Sequence, residues 1–351
     1  MTDTLTPRDA WAVTTMDRQR ALMEEGIAAA ASDVDPVMSC RRWLAVERQA
    51  AGYERYLEPW RRFAGFDRVS SNLRHHREAL LDERSRAQDV VGGIDAETRR
   101  RACLGLGIRL AVVGKGGAGK TVLVATMARL LARQGRQVLT VDLDTSPGLA
   151  ISLGLPPPHG EAELPPEAVE PDPGANYGWQ LAAQLTPDAV VEKFATPGPD
   201  GVHYLGVGKI STPEKEAAKR SVSAMVQVLF GFGRPDWDVI ADLEAGPTTP
   251  FERYHGFASD SMVVVGPAWR SAMTARRLWP MVASQRPVVI GNRYRDEPEH
   301  PGLPLFARIP FDPEVRDAER QGLAPIDVCP DAPAIRAITE LTERFLLQEV
   351  P

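Results

Sequence analysis

The sequence predicts an α/β fold, a doubly wound and mainly parallel sheet, preceded by an all-helical N-terminal region. Three observations carry this expectation. The first 105 residues hold no lysine, many arginines and long stretches free of Pro and Gly. From Ile108 on, short apolar runs alternate with stretches of helical period. A glycine-rich turn joins the first of these runs to the first of these stretches. Alternation of this kind gives a parallel sheet whose two faces are both covered by helices.

Taken in chain order, helices are expected over 14–31, 36–63 and 70–90. In the second of them Trp43, Val46, Ala50, Tyr53, Leu57 and Trp60 recur at steps of three and four, which is one helix face. Acidic and basic residues are about equal in number here, so the arginines read as solvated, salt-bridged helix faces rather than a nucleic-acid patch. The change of composition sets a boundary, with a helical region over 1–105 and a second domain over 106–351. In that domain RLAVV, QVLTVDL, YLGVG, WDVIADL, SMVVVG, PVVIGN and LFARIP read as buried strands. TVLVATMARLLARQ, VSAMVQVLFGF and SAMTARRLWPMVAS read as helices between them. The stretch LPPPHGEAELPPEAVEPDPGANYGW, rich in Pro and acidic residues, reads as a long loop or partly ordered insertion, a lid or a disordered segment.

Composition excludes several classes of function. A net charge of −6 argues against whole-protein affinity for nucleic acid or an anionic membrane. Cys40, Cys103 and Cys329 lie far apart, without the spacing of a zinc site or redox pair, and are expected as free thiols. The chain opens without a basic segment followed by an apolar core, and no window reaches the roughly 18 apolar residues of a membrane span. A cytoplasmic location is the expectation.

The turn carries the chemistry. In RLAVVGKGGAGKTVLVATMARLL, residues Gly114, Gly119, Lys120 and Thr121 fit G-x-x-x-x-G-K-[ST], a spacing that lets backbone N–H groups curl around phosphate oxygens. Gly114, Lys115, Gly116, Gly117, Ala118, Gly119, Lys120, Thr121 and Val122 are therefore candidates for nucleotide contact. Gly114, Gly116 and Gly119 also spell the G-x-G-x-x-G of a dinucleotide site, with Asp142 about twenty residues on. Lys120 and Thr121 decide against that reading, because a triphosphate with Mg²⁺ needs a lysine and a hydroxyl at the helix start and a dinucleotide does not. Asp142 and Asp144 stand two apart at the end of one strand run, so extended backbone would set them on one face. Asp242 ends another run. ATP and Mg²⁺ are the expected cofactors, with Thr121, Asp142 and Asp242 around the cation, partly through water.

GKGGAGKT, with Lys115 ahead of the two glycines, resembles the deviant Walker A box of the MinD, ParA and nitrogenase-iron-protein class of ATPases. The resemblance implies a homodimer in the ATP-bound state, with Lys115 reaching the partner's nucleotide. VDLDTSPG is similar to the first switch of that class, which makes Asp144 the residue that positions water, and Lys115, Lys120 and Asp144 the catalytic set. DLEAGPTTPFERYHGF is similar to the second switch, with Asp242 on the Mg²⁺ shell. GNR at 291–293 and IPFDPEVRDAERQG at 309–322 resemble the segments that hold adenine, which brings in Asn292, Arg293, Pro310 and Asp312.

Within the class, DLEAG, YLGVGKI and VDLDTSPGLAISLGL are similar to the CooC-like ATPases that help insert nickel into carbon monoxide dehydrogenase. The CxC metal motif of those proteins is missing, for STPEKEAAKRSVSAM stands in its place. Val122 stands where the class often has a second hydroxyl, and the N-terminal helices lie outside the class pattern. The implied function is an ATP-hydrolysing switch that remodels, assembles or matures a protein partner, bound through 1–105. A positioning or partitioning ATPase acting on nucleoid or membrane is the alternative, against which the short, acidic PAIRAITELTERFLLQEVP counts.

Overall fold

A computed structural model of the chain describes residues 23–24, 26–57, 66–144, 148–156, 164–172, 179–207, 215–243, 257–279, 282 and 286–346. They fall in two compact units, one of 108–163, 194–214 and 237–351, the other of 1–107, 164–193 and 215–236. That unit begins with 1–107 and also takes in 164–193 and 215–236, segments that a single division at 105 places in the following domain.

The first unit is an eight-stranded sheet. Its strands are β1 (Arg109–Gly114), β2 (Val138–Asp142), β3 (Thr196–Pro197), β4 (Val202–Gly206), β5 (Asp238–Asp242), β6 (Asp260–Val265), β7 (Arg286–Tyr294) and β8 (Leu305–Pro310). They run in the order β8-β7-β6-β1-β5-β2-β4-β3. Every neighbouring pair is parallel save the short edge strand β3, which pairs antiparallel with β4. The inner strands β2, β5 and β6 are buried along their whole length, and β1 all but its first residue. Both faces of such strands must be apolar, which is why they stood out as continuous runs.

Leu110, Val112, Met262, Val264, Val288 and Ile290 share one face of the sheet. They pack with Leu123, Met127 and Leu131 of helix α1 (Lys120–Arg133), and with a C-terminal helix, Pro333–Leu346, through Ile335, Ile338, Leu341 and Phe345. The alternate residues Ala111, Val113, Val263 and Val265 turn the other way, toward Trp269–Leu278, which packs on β1 and β6 through buried Ala272 and Ala275.

Arg129 lies inside the apolar face of α1 and is only 3% exposed. Four of its five N–H groups have acceptors. Nε pairs with Asp200, Nη1 donates to the Leu153 carbonyl at 2.9 Å and to Asp327 at 3.0 Å, and Nη2 donates to Asp327 at 2.8 Å. Arg133, one turn on, adds a 2.8 Å pair with Asp200. The helix that carries the glycine turn is thereby fixed to three other segments of its own unit.

In the second unit, residues 23–24 and 26–32 are helical, followed by helices Pro36–Leu57, Phe66–Gly92 and Ala96–Leu104. Trp43, Val46 and Ala50 are buried, on the face that their spacing predicts. Tyr53, Leu57 and Trp60, like positions 14–22 and 58–63 of the expected helices, lie outside the described side chains or residues. The third expected helix is longer than its pattern, and the fourth was missed although Asp95 caps it by accepting from Thr98 N–H at 2.9 Å. Arg48 donates to the Gly107 carbonyl and Gln49 to that of Phe230, which brings helix Lys215–Gly231 into this unit. The Pro-rich stretch is corrected in part: Val169–Pro171 and Trp179–Leu181 form an antiparallel pair, with Leu181 N–H bonded to Gln227, while 157–163 and 173–178 lie outside the described residues. Cys40 and Cys329 are buried free thiols and Cys103 is half-buried.

Replacing Arg129 by Met should leave Asp200 and Asp327 short of their main partner and cost roughly 2–3 kcal/mol. Urea unfolding followed by circular dichroism measures it, and a loss below about 0.5 kcal/mol, the scale of an ordinary surface change, would contradict the role given to the buried guanidinium.

Candidate functional site

Strand β1 delivers the chain to the glycine turn at the carboxyl end of the sheet, beside the point where the strand order reverses. Open α/β sheets place their ligand crevices there. At Gly114 an added Cβ would stand 2.5 Å from the Val264 carbonyl oxygen. At Gly119, left-handed with φ 84°, it would stand 2.3 Å from Asn292 Nδ2. The turn is closed by Ala118 N–H donating to the Lys115 carbonyl at 3.1 Å. Helix α1 then starts at Lys120 without a side-chain cap, so its positive end is left for an anion. Lys120 is 5% exposed, Lys115 is half-buried with its ammonium 3.4 Å from the Gly116 carbonyl, and Gly116 and Gly117 are exposed. Val122 turns into the core and offers only its backbone.

Asp142 and Asp242 are register partners at the ends of β2 and β5. Thr121 Oγ1 donates to Asp242 Oδ2 at 2.7 Å. Asp242 Oδ1 is buried and, among the described residues, has no hydrogen-bond partner. Asp142 accepts from Asp144 N–H at 3.0 Å and from Leu149 N–H at 3.1 Å, and so closes the connection that follows β2. Because β2 ends at Asp142, the alternation that would set Asp142 and Asp144 on one face stops there, and Asp144 sits half-buried beyond the strand. Burial raises both strand-end carboxyls. Asp142 is pushed up to about 8, the charge of Asp242 adding to the effect of burial. Asp242 is pushed up to about 6, held back by the Lys120 ammonium and the Thr121 hydroxyl.

A hydroxyl and two carboxylates, one of them with a buried oxygen that has no partner among the described residues, form an all-oxygen donor set, the chemistry that Mg²⁺ takes. No group of three or more His, Cys, Asp or Glu among the described residues is arranged to hold a metal ion. A cation here would draw few ligands from protein, as Mg²⁺ does when phosphates and water supply the rest.

On the other side of the turn, Gly119, Val122, Asn292, Arg293, Pro310 and Asp312 line a small recess open to solvent. The structure therefore brings together the two ends of the expected nucleotide set. Asn292 Nδ2 donates to the Ala118 carbonyl at 2.8 Å, and its Oδ1 accepts from Arg293 N–H. Arg293 is left-handed, φ 62°, a conformation that costs a non-glycine residue about 1 kcal/mol or more. Its Nη1 donates to the Gly117 carbonyl at 3.0 Å, and Nη2 pairs with both oxygens of Glu319. Asp312 is spent on structure: it caps Pro313–Arg320 by accepting from Glu314 and Val315 N–H, and takes a third N–H from Ala334. The D-P-E order carries that signal, an N-cap followed by Pro at the first helical position. Glu319 escaped the sequence reading, as did Phe311, whose ring lies between the guanidinium groups of Arg295 and Arg316 at 4.1 and 5.6 Å. Thr145, Ser146, Pro147 and the segment after Leu243, both likened to switches, lie outside the described residues.

Residues 110–229 match the CobQ/CobB/MinD/ParA nucleotide binding domain. An uncharacterized ATP-binding protein of Methanocaldococcus jannaschii is 27% identical over 260 residues, 67% of this chain and 96% of that protein. The carbon monoxide dehydrogenase accessory protein CooC of Rhodospirillum rubrum is 28% identical over 248 residues, 64% of this chain and 91% of CooC. A solved ParA family ATPase from Chlorobium tepidum shares the fold, with a TM-score of 0.50 at 16% identity over 68% of this chain and 99% of that one. No helix among the described residues is long and apolar enough to cross a membrane.

Asp142 and Asp242 hold protons more tightly folded than unfolded. The stability they contribute is full below their unfolded values, near pH 4, and is lost as pH rises through about 6 to 8. The melting temperature of the nucleotide-free protein should fall over that range, and Asp242→Asn should flatten the fall. Thermal melts at half-unit pH steps test this, and identical profiles for the two proteins would contradict it.

Proposed function

From a chain whose residues 110–229 match the CobQ/CobB/MinD/ParA nucleotide binding domain and which is similar to CooC, we propose an ATP-hydrolysing switch. It binds MgATP at 114–121, hydrolyses it slowly as an ATP-bound homodimer, and uses the change of state to remodel, assemble or mature a partner protein. The observation that carries the reading is the buried Asp242 carboxylate, short of one partner and bonded to Thr121 at the start of an uncapped helix behind a glycine turn.

Each side chain then has a task. Lys120, at the helix start, faces the β and γ phosphates, and the backbone N–H groups of the turn hold their oxygens. Thr121 and Asp242 would hold the cation, Asp242 through water. Mg²⁺, when bound, neutralises charge that develops on the phosphates. Asp144 orients the attacking water from the connection after β2. Lys115 projects from the outer side of the turn toward the nucleotide of a second copy. Asp142 ties the start of that connection to Leu149, so a shift of Asp144 has a route to the segments that follow. Catalysis of this kind consists mostly of positioning and electrostatics.

The accessory role of CooC supports a maturation or assembly role, but without a CxC motif the nickel chemistry does not carry over. The helices of 1–105 are the proposed seat of the partner. A positioning role at a membrane is disfavoured because helix Pro333–Leu346 buries its apolar face in the core.

Two lysines separate the parts of the proposal. Lys120→Ala should weaken MgATP binding by about a hundredfold, the scale of losing a strong charge-assisted contact. Lys115→Ala should keep affinity within a fewfold yet lose both turnover and the dimer that forms with a slowly hydrolysed ATP analogue. Calorimetry and light scattering on the two variants are the test; a Lys115→Ala protein that dimerises and turns over normally would remove the trans-acting lysine.

A further inference from the structure

The glycine turn is gripped from outside by two consecutive residues. Asn292 Nδ2 reaches the carbonyls of Ala118, at 2.8 Å, and of Gly119, at 3.5 Å, while Arg293 Nη1 reaches that of Gly117 at 3.0 Å. A trans peptide is planar, so its N–H points opposite to its C=O. With the Ala118 carbonyl held by Asn292 and the Gly119 carbonyl accepting from Leu123 N–H as the helix begins, the N–H groups of Gly119 and Lys120 point away from those acceptors, into the loop. The Ala118 N–H, fixed by the Gly117 carbonyl, is consumed by the Lys115 carbonyl and closes the turn.

Arg293 does not hold this contact alone. Glu319 binds the same guanidinium through both its oxygens, at 3.1 and 2.8 Å. Glu319 in turn is carried by helix Pro313–Arg320, whose start is pinned by the Asp312 cap and by the bond from Ala334 N–H to Asp312. The left-handed backbone of Arg293 is the conformation that sends its side chain back over the turn. A glycine would take that φ without strain, so the guanidinium is what an arginine adds here.

We propose that Arg293, clamped by Glu319, is a positioning residue that fixes the Gly117–Ala118 peptide and so keeps the phosphate-binding turn closed, the closure in which the N–H groups of Gly119 and Lys120 stay free to face an anion. It acts on phosphate through the turn. The assignment rests on the nucleotide reading above and deepens it, by separating Arg293 from residues that would meet the base.

Arg293→Gly removes the guanidinium and keeps the backbone, and Glu319→Gln removes the ionic clamp and keeps its shape. Each should lower MgADP affinity about tenfold, the size of one charge-assisted hydrogen bond. The double variant should lose no more than Arg293→Gly alone, because the two residues act as a unit. The melting temperature of nucleotide-free Arg293→Gly should stay at or above wild type. Calorimetric titration of the full chain and its three variants, with thermal melts, reads all of this. Single variants that bind within twofold of wild type, losses that add in the double variant, or a lowered melting temperature in Arg293→Gly would each overturn the assignment. A wild-type chain that takes up no MgADP would instead overturn the nucleotide reading itself, and this inference with it.

Discussion

Strand β5 carries an aspartate at each end, and the two have opposite circumstances. At its start, Asp238 is fully buried and fully partnered, paired with Arg136 through both oxygens at 2.6 Å and accepting from Ile108 N–H at 2.7 Å. At its end, Asp242 is as deeply buried, yet one of its oxygens has only Thr121 and the other has no partner among the described residues. A buried carboxylate left in that condition costs free energy, and it lowers the cost by taking a proton or by meeting a cation. The first of these is the raised pKa of Asp242; the second is the chemistry that the site offers.

That constraint orders the rest of the site. Thr121 can serve Asp242 only if α1 begins at Lys120, and α1 can begin there only if the turn before it accepts the φ of Gly119 and the close approach at Gly114. The turn needs its carbonyls held outward, which Asn292 and Arg293 do. The structural ion pairs lie elsewhere, at Arg129 in the middle of α1 and at Arg136 by the amino end of β5. Fixing the helix at points remote from its first turn leaves that turn without a side-chain cap, which is what an anion-binding site requires.

Much of this was legible in the sequence, for identifiable reasons. Strands buried on both faces write continuous apolar runs, and a phosphate loop must place glycine, lysine and threonine at fixed intervals. The recess formed by Gly119, Asn292, Arg293 and Pro310 was reached only through resemblance, since nothing in composition links residues 174 positions apart. What stayed hidden depends on partners in space. Arg129 sits in a helix face that period alone makes apolar, and its three acceptors come from distant segments. The strand pair Val169–Pro171 and Trp179–Leu181 is short and proline-bearing, so local propensity argues against it and helix Lys215–Gly231 provides the packing. Asp142 and Asp144 were treated as one strand face, and the end of β2 at Asp142 divides them. Asp238 and Asp242 look alike in WDVIAD, and only the edge of the sheet on which each falls tells them apart.

The central claim is that Thr121 and Asp242 form the cation side of a phosphate site. Crystals of the chain grown with Mn²⁺ and ADP, measured at the manganese edge, test it directly. The account predicts an anomalous peak within bonding distance of Thr121 Oγ1, with Asp242 reaching the metal through water and the phosphates enclosed by the backbone of 116–121. A manganese peak elsewhere in the chain, or nucleotide held with Thr121 still bonded to Asp242 and no metal beside it, would contradict it.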